Sequence, residues 1–284
     1  MIIEPNARVA FQGERGAFSE EAAIKLLGEK VTLVPRPTFE AAFRAIFDGL
    51  ADYILAPIEN SLAGSVHRSF DLLVNSGLNI LAEEIIPIAH NLIGAPGARF
   101  DEIMVAESHP VALAQCEQFF SMHPRLKRIA TEDTAGSVRE VVGAGDRTRA
   151  AIAGRRAAEI YGGIILREHL EDNPENYTRF WQLSPSAVTE KNADKLSLFF
   201  QLDHRPGALL HALEPFGRRG INLLKIESRP VHGSPWQYRF YLDLQAARGN
   251  AEVEAALEEL QKQVVDLRIL GSYAAAQKPS SSAR

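Results

Sequence analysis

The segment APIENSLAGSVHRSFDLL (residues 56–73) joins two different periodic patterns. It begins like the end of a buried strand, and Val66, Phe70 and Leu73 then recur with the spacing of one helix face. The turn between the patterns is polar and contains Glu59, Asn60, Ser61, Gly64 and Ser65. Helix N-termini bind anions because their first N–H groups have no partner in the helix, so this turn is a candidate anion site. With Ser65 as a helix cap, the segment can also be interpreted as a satisfied, capped turn.

Strand and helix patterns alternate on both sides of this segment. Strands are predicted at 8–13, 31–35 and 51–59, with helices at 17–28 and 38–49, and Ser19 is a candidate N-cap. This β-α-β-α-β order indicates an α/β fold with a mostly parallel sheet. The alternation resumes from 78 to 166, with helices predicted at 110–120 and 133–145, and a last strand follows at 176–184. Two such blocks predict two lobes facing a cleft, with ligands bound where strands end and helices begin.

A second pattern follows a polar segment. Residues 184–195 contain a proline and have no periodicity, which predicts a linker. From 195 to 273 the order is β-α-β-β-α-β, which is typical of a ferredoxin-like domain. Pro215 is expected to kink the first helix of this domain or to mark its last turn. The final residues, 274–284, are of low complexity and are predicted to be disordered.

Composition excludes several classes of protein. The chain has 284 residues and a net charge of −5, with no basic stripe for nucleic acid or a membrane surface. Cys116 is the single cysteine, so no intrachain disulfide can form, and its apolar neighbours predict a buried structural thiol. No long apolar run or signal peptide is recognisable, which favours the cytoplasm. Metal-ligand spacings such as HExxH and CxxC are missing from the sequence, and no cofactor is expected.

Seven segments of the chain resemble known family signatures. Residues 59–73, together with FQGERGAFSEEAA (11–23), SHPVALAQC (108–116), DTAGSV (133–138) and NYTRFWQL (176–183), resemble the prephenate dehydratases. PGALLHALEPF (206–216) and INLLKIESRP (221–230) resemble the ACT regulatory domain of that family. The matches occur in the family's order and cover almost all of the chain outside the tail.

The resemblance implies a fold and an activity. It implies a catalytic part with two lobes, like a periplasmic binding protein, that converts prephenate to phenylpyruvate, water and carbon dioxide. It also implies inhibition by L-phenylalanine at ACT–ACT interfaces of a homo-oligomer, either a homodimer or a homotetramer, and no metal or cofactor. The expected domains are a catalytic part at 1–185 (lobes about 1–80 plus 168–185, and about 81–167), the ACT domain at 195–273 and the tail at 274–284.

Two departures from the family pattern leave the substrate open. Val111 replaces the usual glutamine, and Ala17 replaces a threonine of many bacterial members. Ala17, together with PIENSLAGSVHR (57–68), leans toward the sister arogenate dehydratases, which act on the amino analogue. A third interpretation is a non-catalytic amino-acid sensor, since binding lobes and an ACT domain can bind without catalysis.

The chemistry requires a proton donor, because the ring hydroxyl is a poor leaving group. The resemblance makes Thr178 the candidate donor, although a threonine hydroxyl is a very weak acid and needs a relay. Glu59 could supply that proton if burial raises its pKa, or it could stay ionised and orient Asn60. Strand alternation places Phe180 on the side of Thr178 and Arg179 on the other, where a salt bridge or binding of the far carboxylate is possible.

The remaining candidates bind anions. For the substrate they are Asn60, Ser61, Gly64 and Ser65 in the turn, Ser19, Thr134 and Ala135 at helix starts, Ser108 and Gln115 as weaker candidates, and Arg179 and Phe180. For L-phenylalanine they are Gly207, Ala208 and Leu209 as backbone donors, with Asn222, Leu223, Glu227 and Ser228. The ESRP segment (227–230) can alternatively be only a sheet-edge dimer contact.

Overall fold

The computed structural model describes residues 6–187, 192–231, 233–234 and 236–279. Parts of the predicted linker (188–191) and tail (280–284) lie outside the described residues. Contacts divide the chain into two compact units, one formed mainly by 2–69 and 84–180 and the other by 70–83 and 181–277. No helix within the described ranges is long and apolar enough to cross a membrane.

The elements up to residue 184 alternate as the sequence predicts. In chain order they are β1 (Arg8–Gln12), α1 (Phe18–Leu27), β2 (Thr32–Arg36), α2 (Phe39–Phe47), β3 (Tyr53–Asn60), β4 (Gly64–Ser65), α3 (His67–Ser76), β5 (Asn79–Pro87), β6 (Asn91–Gly94), β7 (Val105–Ser108), α4 (Pro110–Ala114), α5 (Glu117–Met122), β8 (Lys127–Ala130), α6 (Thr134–Ala144), β9 (Arg149–Ala153), α7 (Arg155–Tyr161), β10 (Ile164–Arg167) and β11 (Tyr177–Ser184).

These strands form two sheets, and each sheet is the centre of one lobe, which we call lobe 1 and lobe 2. The sheet of lobe 1 has the order β2-β1-β3-β11-β5, with the short β4 paired to β3, and β1 runs parallel to both neighbours. The sheet of lobe 2 has the order β10-β6-β9-β7-β8, in which β7 is parallel to β8 and β9 while β6 is antiparallel to both of its neighbours. The predicted α/β class with two lobes is confirmed.

The C-terminal residues form a separate four-stranded sheet. Its elements are β12 (Lys195–Gln201), α8 (Ala208–Gly217), β13 (Leu223–Pro230), β14 (Tyr238–Leu244), α9 (Ala251–Gln261) and β15 (Asp266–Tyr273). The order β13-β14-β12-β15 is antiparallel throughout, which confirms the ferredoxin-like prediction. Leu198, Phe200 and Leu242 pack with Phe216 and Leu260 in its core. Pro215 lies in the last turn of α8, one of the two positions expected.

The other face of this sheet contacts residues 70–83, which belong to the same unit. The Tyr241 hydroxyl donates to the carbonyl of Phe70 at 3.1 Å, and Arg229 donates to Asp71 at 2.8 Å. Lys195 forms a buried ion pair with Glu83 at 2.6 Å. The end of the helix that follows the polar turn therefore belongs to the unit of the C-terminal domain.

Two local predictions are wrong. The single helix predicted over 110–120 is interrupted between α4 and α5, because Gln115 gives its carbonyl to the N–H of Asp172 and the carboxylate of Asp172 caps α5. Ser19 is not an N-cap, since α1 is preceded by Ala17 and Ser19 lies inside the helix. Ser65, the other candidate cap, lies in β4, two residues before α3 begins.

Candidate active site

A cavity of about 480 Å³ opens in the part of the chain that contains both lobes. It is lined by the turn after β3, by the first residues of α1, α4 and α6, and by β11. Eight of the predicted substrate-site residues line it: Ser19, Asn60, Gly64, Ser65, Gln115, Thr134, Thr178 and Phe180. The cavity therefore brings together predicted residues up to 161 positions apart in the chain, from Ser19 to Phe180.

Asn60 is the centre of the hydrogen bonds in the cavity wall. Its Oδ1 accepts the backbone N–H groups of Leu62 and Ala63 at 3.0 and 2.8 Å, as in an Asx turn. Its Nδ2 donates to Oδ1 of Asn176 at 2.8 Å, to the carbonyl of Tyr177 at 3.1 Å and to Oγ1 of Thr178 at 3.0 Å. The turn and the start of β11 are thus held together by one amide.

The hydroxyl hydrogen of Thr178 is left for another partner. Asn60 Nδ2 is a donor without a lone pair to offer, so Thr178 Oγ1 can only accept from it. In the described part of the chain, that hydroxyl has no other hydrogen-bond partner. Thr178 is also 9% exposed and lines the cavity, so its O–H is available to an oxygen atom bound there.

Glu59 and Arg179 face each other instead of the cavity. Arg179 Nη2 donates to Oε2 of Glu59 at 3.1 Å, and neither residue lines the cavity. This arrangement matches the salt-bridge interpretation of Arg179 and the ionised interpretation of Glu59. The pairing with Arg179 therefore keeps the Glu59 carboxylate outside the cavity wall.

Three further predicted residues do not line the cavity. The Ser61 hydroxyl donates to the carbonyl of Glu175 at 2.8 Å and accepts the N–H of Tyr177 at 2.9 Å. The Ser108 hydroxyl is buried and donates to the carbonyl of Ile152 at 2.6 Å. Ala135 is fully buried inside α6. Ser61 and Ser108 therefore brace backbone segments, which their positions at strand ends did not reveal.

The cavity offers hydrogen-bond donors rather than cations. No lysine or arginine is among the described residues that line it. At the start of α1, Ala17 provides no side-chain cap, so the helix N-terminus faces the cavity beside Ser19. At the start of α6, Asp133 accepts the N–H of Gly136 at 2.6 Å and occupies part of that terminus. The N-terminus of α1 is therefore the better place for a carboxylate.

Several lining residues were not predicted from the sequence. His90, His109, Glu132 and Asp133 line the cavity, and Asn176 supports it from behind. Asn176 is the first residue of the NYTRFWQL segment, so that signature could have revealed it. His109 lies in the SHPVALAQC segment (108–116), which could have revealed it in the same way, whereas His90 stands in a mixed segment without a signature.

Comparison with known families agrees with this site. The family model for prephenate dehydratase matches residues 9–187, which include every residue of the cavity wall. The chain belongs to the prephenate dehydratase family. A second model, for the ACT domain, matches residues 196–261. The suspected resemblance is confirmed, and the family's enzymes are decarboxylating lyases.

Two curated relatives of this prephenate dehydratase family member cover most of the chain. It is 36% identical to a bifunctional chorismate mutase/prephenate dehydratase of Neisseria gonorrhoeae, over 96% of this chain and 76% of the relative. It is 39% identical to arogenate dehydratase/prephenate dehydratase 1 of Arabidopsis thaliana, over 95% of this chain and 72% of the relative.

Two solved structures are also similar throughout. Prephenate dehydratase from Arthrobacter aurescens in complex with L-Phe is 31% identical, with a TM-score of 0.88 and coverage of 97% of this chain and 93% of that one. The quorum quenching acylase GqqA is 33% identical, with a TM-score of 0.87 and coverage of 94% and 98% respectively.

The ACT residues occupy the start of α8 and the edge strand β13. Gly207 precedes α8 with a φ of 77°, and the N–H of Ala208 already donates to the carbonyl of Arg205, which leaves Leu209 as the next donor. Asn222 donates to Gln245 at 3.2 Å, just before β13 begins at Leu223. Side chains alternate between the faces of a strand, so the neighbours Glu227 and Ser228 point to opposite faces of β13.

Two other predicted features have clear environments. Cys116 is fully buried in the core of lobe 2, and burial raises the pKa of its thiol, as expected of a structural cysteine.

Within the tail, residues 274–279 are described, and Lys278 contacts Glu175 and the ring of Tyr177. This first half of the tail is therefore placed, although it was predicted to be disordered.

Gly16 lies at a close contact between the two lobes, beside Ala157. Its φ is +83°, and a Cβ atom there would lie 2.7 Å from the Cα of Ala157. We expect Gly16→Ala to lower the free energy of unfolding by about 1–3 kcal/mol and to raise KM, since the lobes would be pushed apart. Urea unfolding of Gly145→Ala is the matched control, because Gly145 has a φ of +65° with open space around it. Equal losses in both variants would contradict a lobe contact at Gly16.

His90 should make stability depend on pH. Burial lowers its pKa below the ordinary value of 6.5, against smaller raising effects of Gln115 and Glu171. Above about pH 6.5 the ring is neutral in both the folded and the unfolded states. Below that pH only the unfolded chain binds the proton, which stabilises the unfolded state. The free energy of unfolding therefore falls by up to about 1.4 kcal/mol for each pH unit. We expect the unfolding free energy of His90→Gln to fall less between pH 7.5 and 5.5 than that of the wild type. The exposed His204→Gln variant should keep the wild-type dependence.

Proposed function

We propose that this protein converts prephenate to phenylpyruvate, water and carbon dioxide in L-phenylalanine biosynthesis. The observation that carries the proposal is the Thr178 hydroxyl, which lines the cavity with its hydrogen uncommitted. The family model over residues 9–187 supports the same reaction. We assign residues 1–185 to the catalytic part and 195–273 to the ACT domain, in keeping with the two matched ranges.

In the reaction, the bond from the ring to its carboxylate breaks and carbon dioxide leaves. The electron pair enters the ring, the C–O bond to the ring hydroxyl breaks, and the ring becomes aromatic. The prephenate dianion thereby gives the phenylpyruvate anion, carbon dioxide and hydroxide, and hydroxide needs one proton to leave as water. Thr178 passes its hydroxyl proton to the departing oxygen, which leaves as water, and the Thr178 oxygen takes a proton back from solvent.

The rest of the cavity wall suits this chemistry. The ring lies against Phe180 and Ile88, away from any cation, because a cation on the ring carboxylate would stabilise the charge that must disperse. The far carboxylate binds at the N-terminus of α1 with the Ser19 hydroxyl and beside Gly64 and Ser65 of the turn. Glu59 and Arg179 orient the turn from outside the cavity.

A second candidate is arogenate dehydratase activity. Glu132 and Asp133 line the cavity, and a carboxylate there can pair with the ammonium group of arogenate. The relative from Arabidopsis thaliana carries both activities in its name. Val111, which lines the cavity where the family pattern has a glutamine, is 43% exposed and removes a polar contact from the wall.

Steady-state assays on both substrates test these proposals. Phenylpyruvate formation from prephenate, with a higher kcat/KM than for arogenate, supports the first. A higher kcat/KM on arogenate supports the second, and turnover of neither substrate supports a non-catalytic sensor.

An acylase assay belongs in the same series because of the similarity to GqqA. Acyl transfer needs a base beside its nucleophile, and the partner of Thr178 in the described chain is an amide, which is not a base.

We propose that L-phenylalanine inhibits the enzyme at the ACT domain of a homodimer. The edge strand β13 exposes Leu224 and Ile226, and α8 exposes Leu210, an apolar surface suited to a second copy of β13 and α8. The proposed ligand site contains Gly207, Leu209 and Asn222 near this edge. Light scattering checks for the mass of two chains, and activity with added L-phenylalanine checks for inhibition.

The buried single cysteine is consistent with a cytoplasmic location.

A further inference from the structure

Backbone groups fix the orientation of the Asn60 amide. Its Oδ1 accepts two backbone N–H groups, from Leu62 and Ala63, and its Nδ2 donates to the backbone carbonyl of Tyr177. A flipped amide would place a donor against two donors and an acceptor against a carbonyl. These partners cannot themselves flip, so they determine which end of the amide is the oxygen, while its exact position also depends on Gln115 and Asn176.

The same reasoning extends from Asn60 to His90. Asn60 donates to Oδ1 of Asn176, so Asn176 Nδ2 is the donor to Oε1 of Gln115 at 2.9 Å. Gln115 Nε2 in turn lies 3.4 Å from Oδ1 of Asn60, as a donor must. Because Gln115 Oε1 only accepts, the His90 Nε2 atom 2.9 Å away must carry the hydrogen.

The Nε2–H group of His90 thus donates to Oε1 of Gln115. The ring is 2% exposed, lines the cavity and lies edge-on to Phe18 at a centroid distance of 5.8 Å. Its Nδ1 atom is buried and has no partner among the described residues. The single polar contact of this ring in the described chain is therefore its bond to Gln115. A buried histidine committed to one side-chain acceptor suits a role in orienting that acceptor.

We propose that His90, as the neutral Nε2–H tautomer, is a positioning residue for the proton donor Thr178. Its N–H holds Gln115 Oε1, Gln115 and Asn176 hold the Asn60 amide, and that amide directs the Thr178 hydrogen into the cavity. The role rests on the proposed function, since Thr178 donates only if the reaction is the dehydration. His90 does not itself contact the substrate in this arrangement.

Loss of this donor should lower kcat and leave KM nearly unchanged. Without His90 Nε2–H, Gln115 Oε1 keeps one donor, and the amide can rotate away from Asn60. The N-terminus of α1, which binds the far carboxylate, is not part of this chain of bonds. Misplacing a reacting group by a fraction of its contact distance costs up to about 10²-fold in rate.

The test compares His90→Phe with His90→Gln in the full-length protein. Phenylalanine keeps the ring against Phe18 and removes the donor, whereas glutamine keeps an N–H donor at a similar reach. We expect kcat for prephenate to fall by about 10- to 10²-fold in His90→Phe with KM within about twofold, and to be largely retained in His90→Gln. An equal loss in both variants, or a wild-type kcat in His90→Phe, overturns the role.

Nitrogen NMR of the wild type provides a readout that does not depend on activity or on the folding of a variant. The ¹⁵N shifts of His90, assigned by comparison with His90→Gln, should show a protonated Nε2 and an unprotonated Nδ1 at neutral pH. The opposite tautomer overturns the inference. If the wild type does not turn over prephenate at all, the proposed function fails and the role of His90 fails with it, whereas normal wild-type turnover with an unaffected His90→Phe overturns the His90 role alone.

Discussion

Replacing Thr178 by valine is expected to lower kcat for prephenate by about 10²- to 10⁴-fold, the usual contribution of a positioned proton donor. Valine has nearly the same shape, so the hydroxyl is the main group lost. Asn60 Nδ2 keeps the Asn176 side chain and the Tyr177 carbonyl as acceptors, so the cavity wall should remain intact. KM should change little, because the interaction with the departing oxygen strengthens mainly in the transition state.

Thr178→Ser is the matched control, since it retains the hydroxyl and should retain most of the activity. Both variants are assayed by the appearance of phenylpyruvate, after circular dichroism has shown wild-type folding. A Thr178→Val enzyme with near wild-type kcat would assign the proton to another group. Glu59 would then be the next residue to test, although its pairing with Arg179 weighs against it.

The second large effect is expected at the buried ion pair of the C-terminal unit. The Glu83 side chain is fully buried, accepts from Lys195 Nζ at 2.6 Å and also accepts the N–H of Ala276 at 2.9 Å. Lys195→Met should lower the free energy of unfolding by about 3–5 kcal/mol, because it leaves a buried carboxylate without its cation. Urea unfolding followed by the fluorescence of the buried Trp181 measures the loss.

Two variants separate this effect from a general loss of charge. The double variant Glu83→Gln/Lys195→Met should recover much of the stability, because a neutral amide keeps an acceptor for Ala276. Arg155→Met breaks the exposed Arg155–Glu168 pair and should cost no more than about 1 kcal/mol. A loss in Lys195→Met as small as that in Arg155→Met would show that the buried pair does not hold residues 70–83 to the C-terminal sheet.

Much of the architecture could be predicted because it depends on local patterns. Apolar periodicities of 2 and 3.6 residues predicted the alternating elements of both lobes and the βαββαβ order after residue 195. Helix ends at Gly28 and Gly145 were marked by glycines with positive φ. The family signatures predicted Asn60, Gln115 and Thr178 as parts of one site, and all three line the cavity.

The errors lie where a distant residue decides a local conformation. Nothing between residues 110 and 120 indicates a break, because Asp172 takes the Gln115 carbonyl and caps α5 from more than 50 positions away. The Ser61 and Ser108 hydroxyls donate to the carbonyls of Glu175 and Ile152, partners that no local pattern indicates. Contacts group segment 70–83 with the C-terminal domain, a relation that no local pattern indicates.

By itself, then, the sequence determined the strands, the helices, the family and the polar turn at residues 59–65, since each depends on residue types at short spacing. Tertiary structure decided which polar atoms face the cavity. Asn60, 118 positions earlier, donates to the Thr178 oxygen, and the Thr178 hydrogen has no acceptor among the described residues. Arg179 pairs with Glu59 outside the cavity wall. Hydrogen-bond direction depends on partners that only folding brings within about 3 Å, and for this reason spacing could not reveal it.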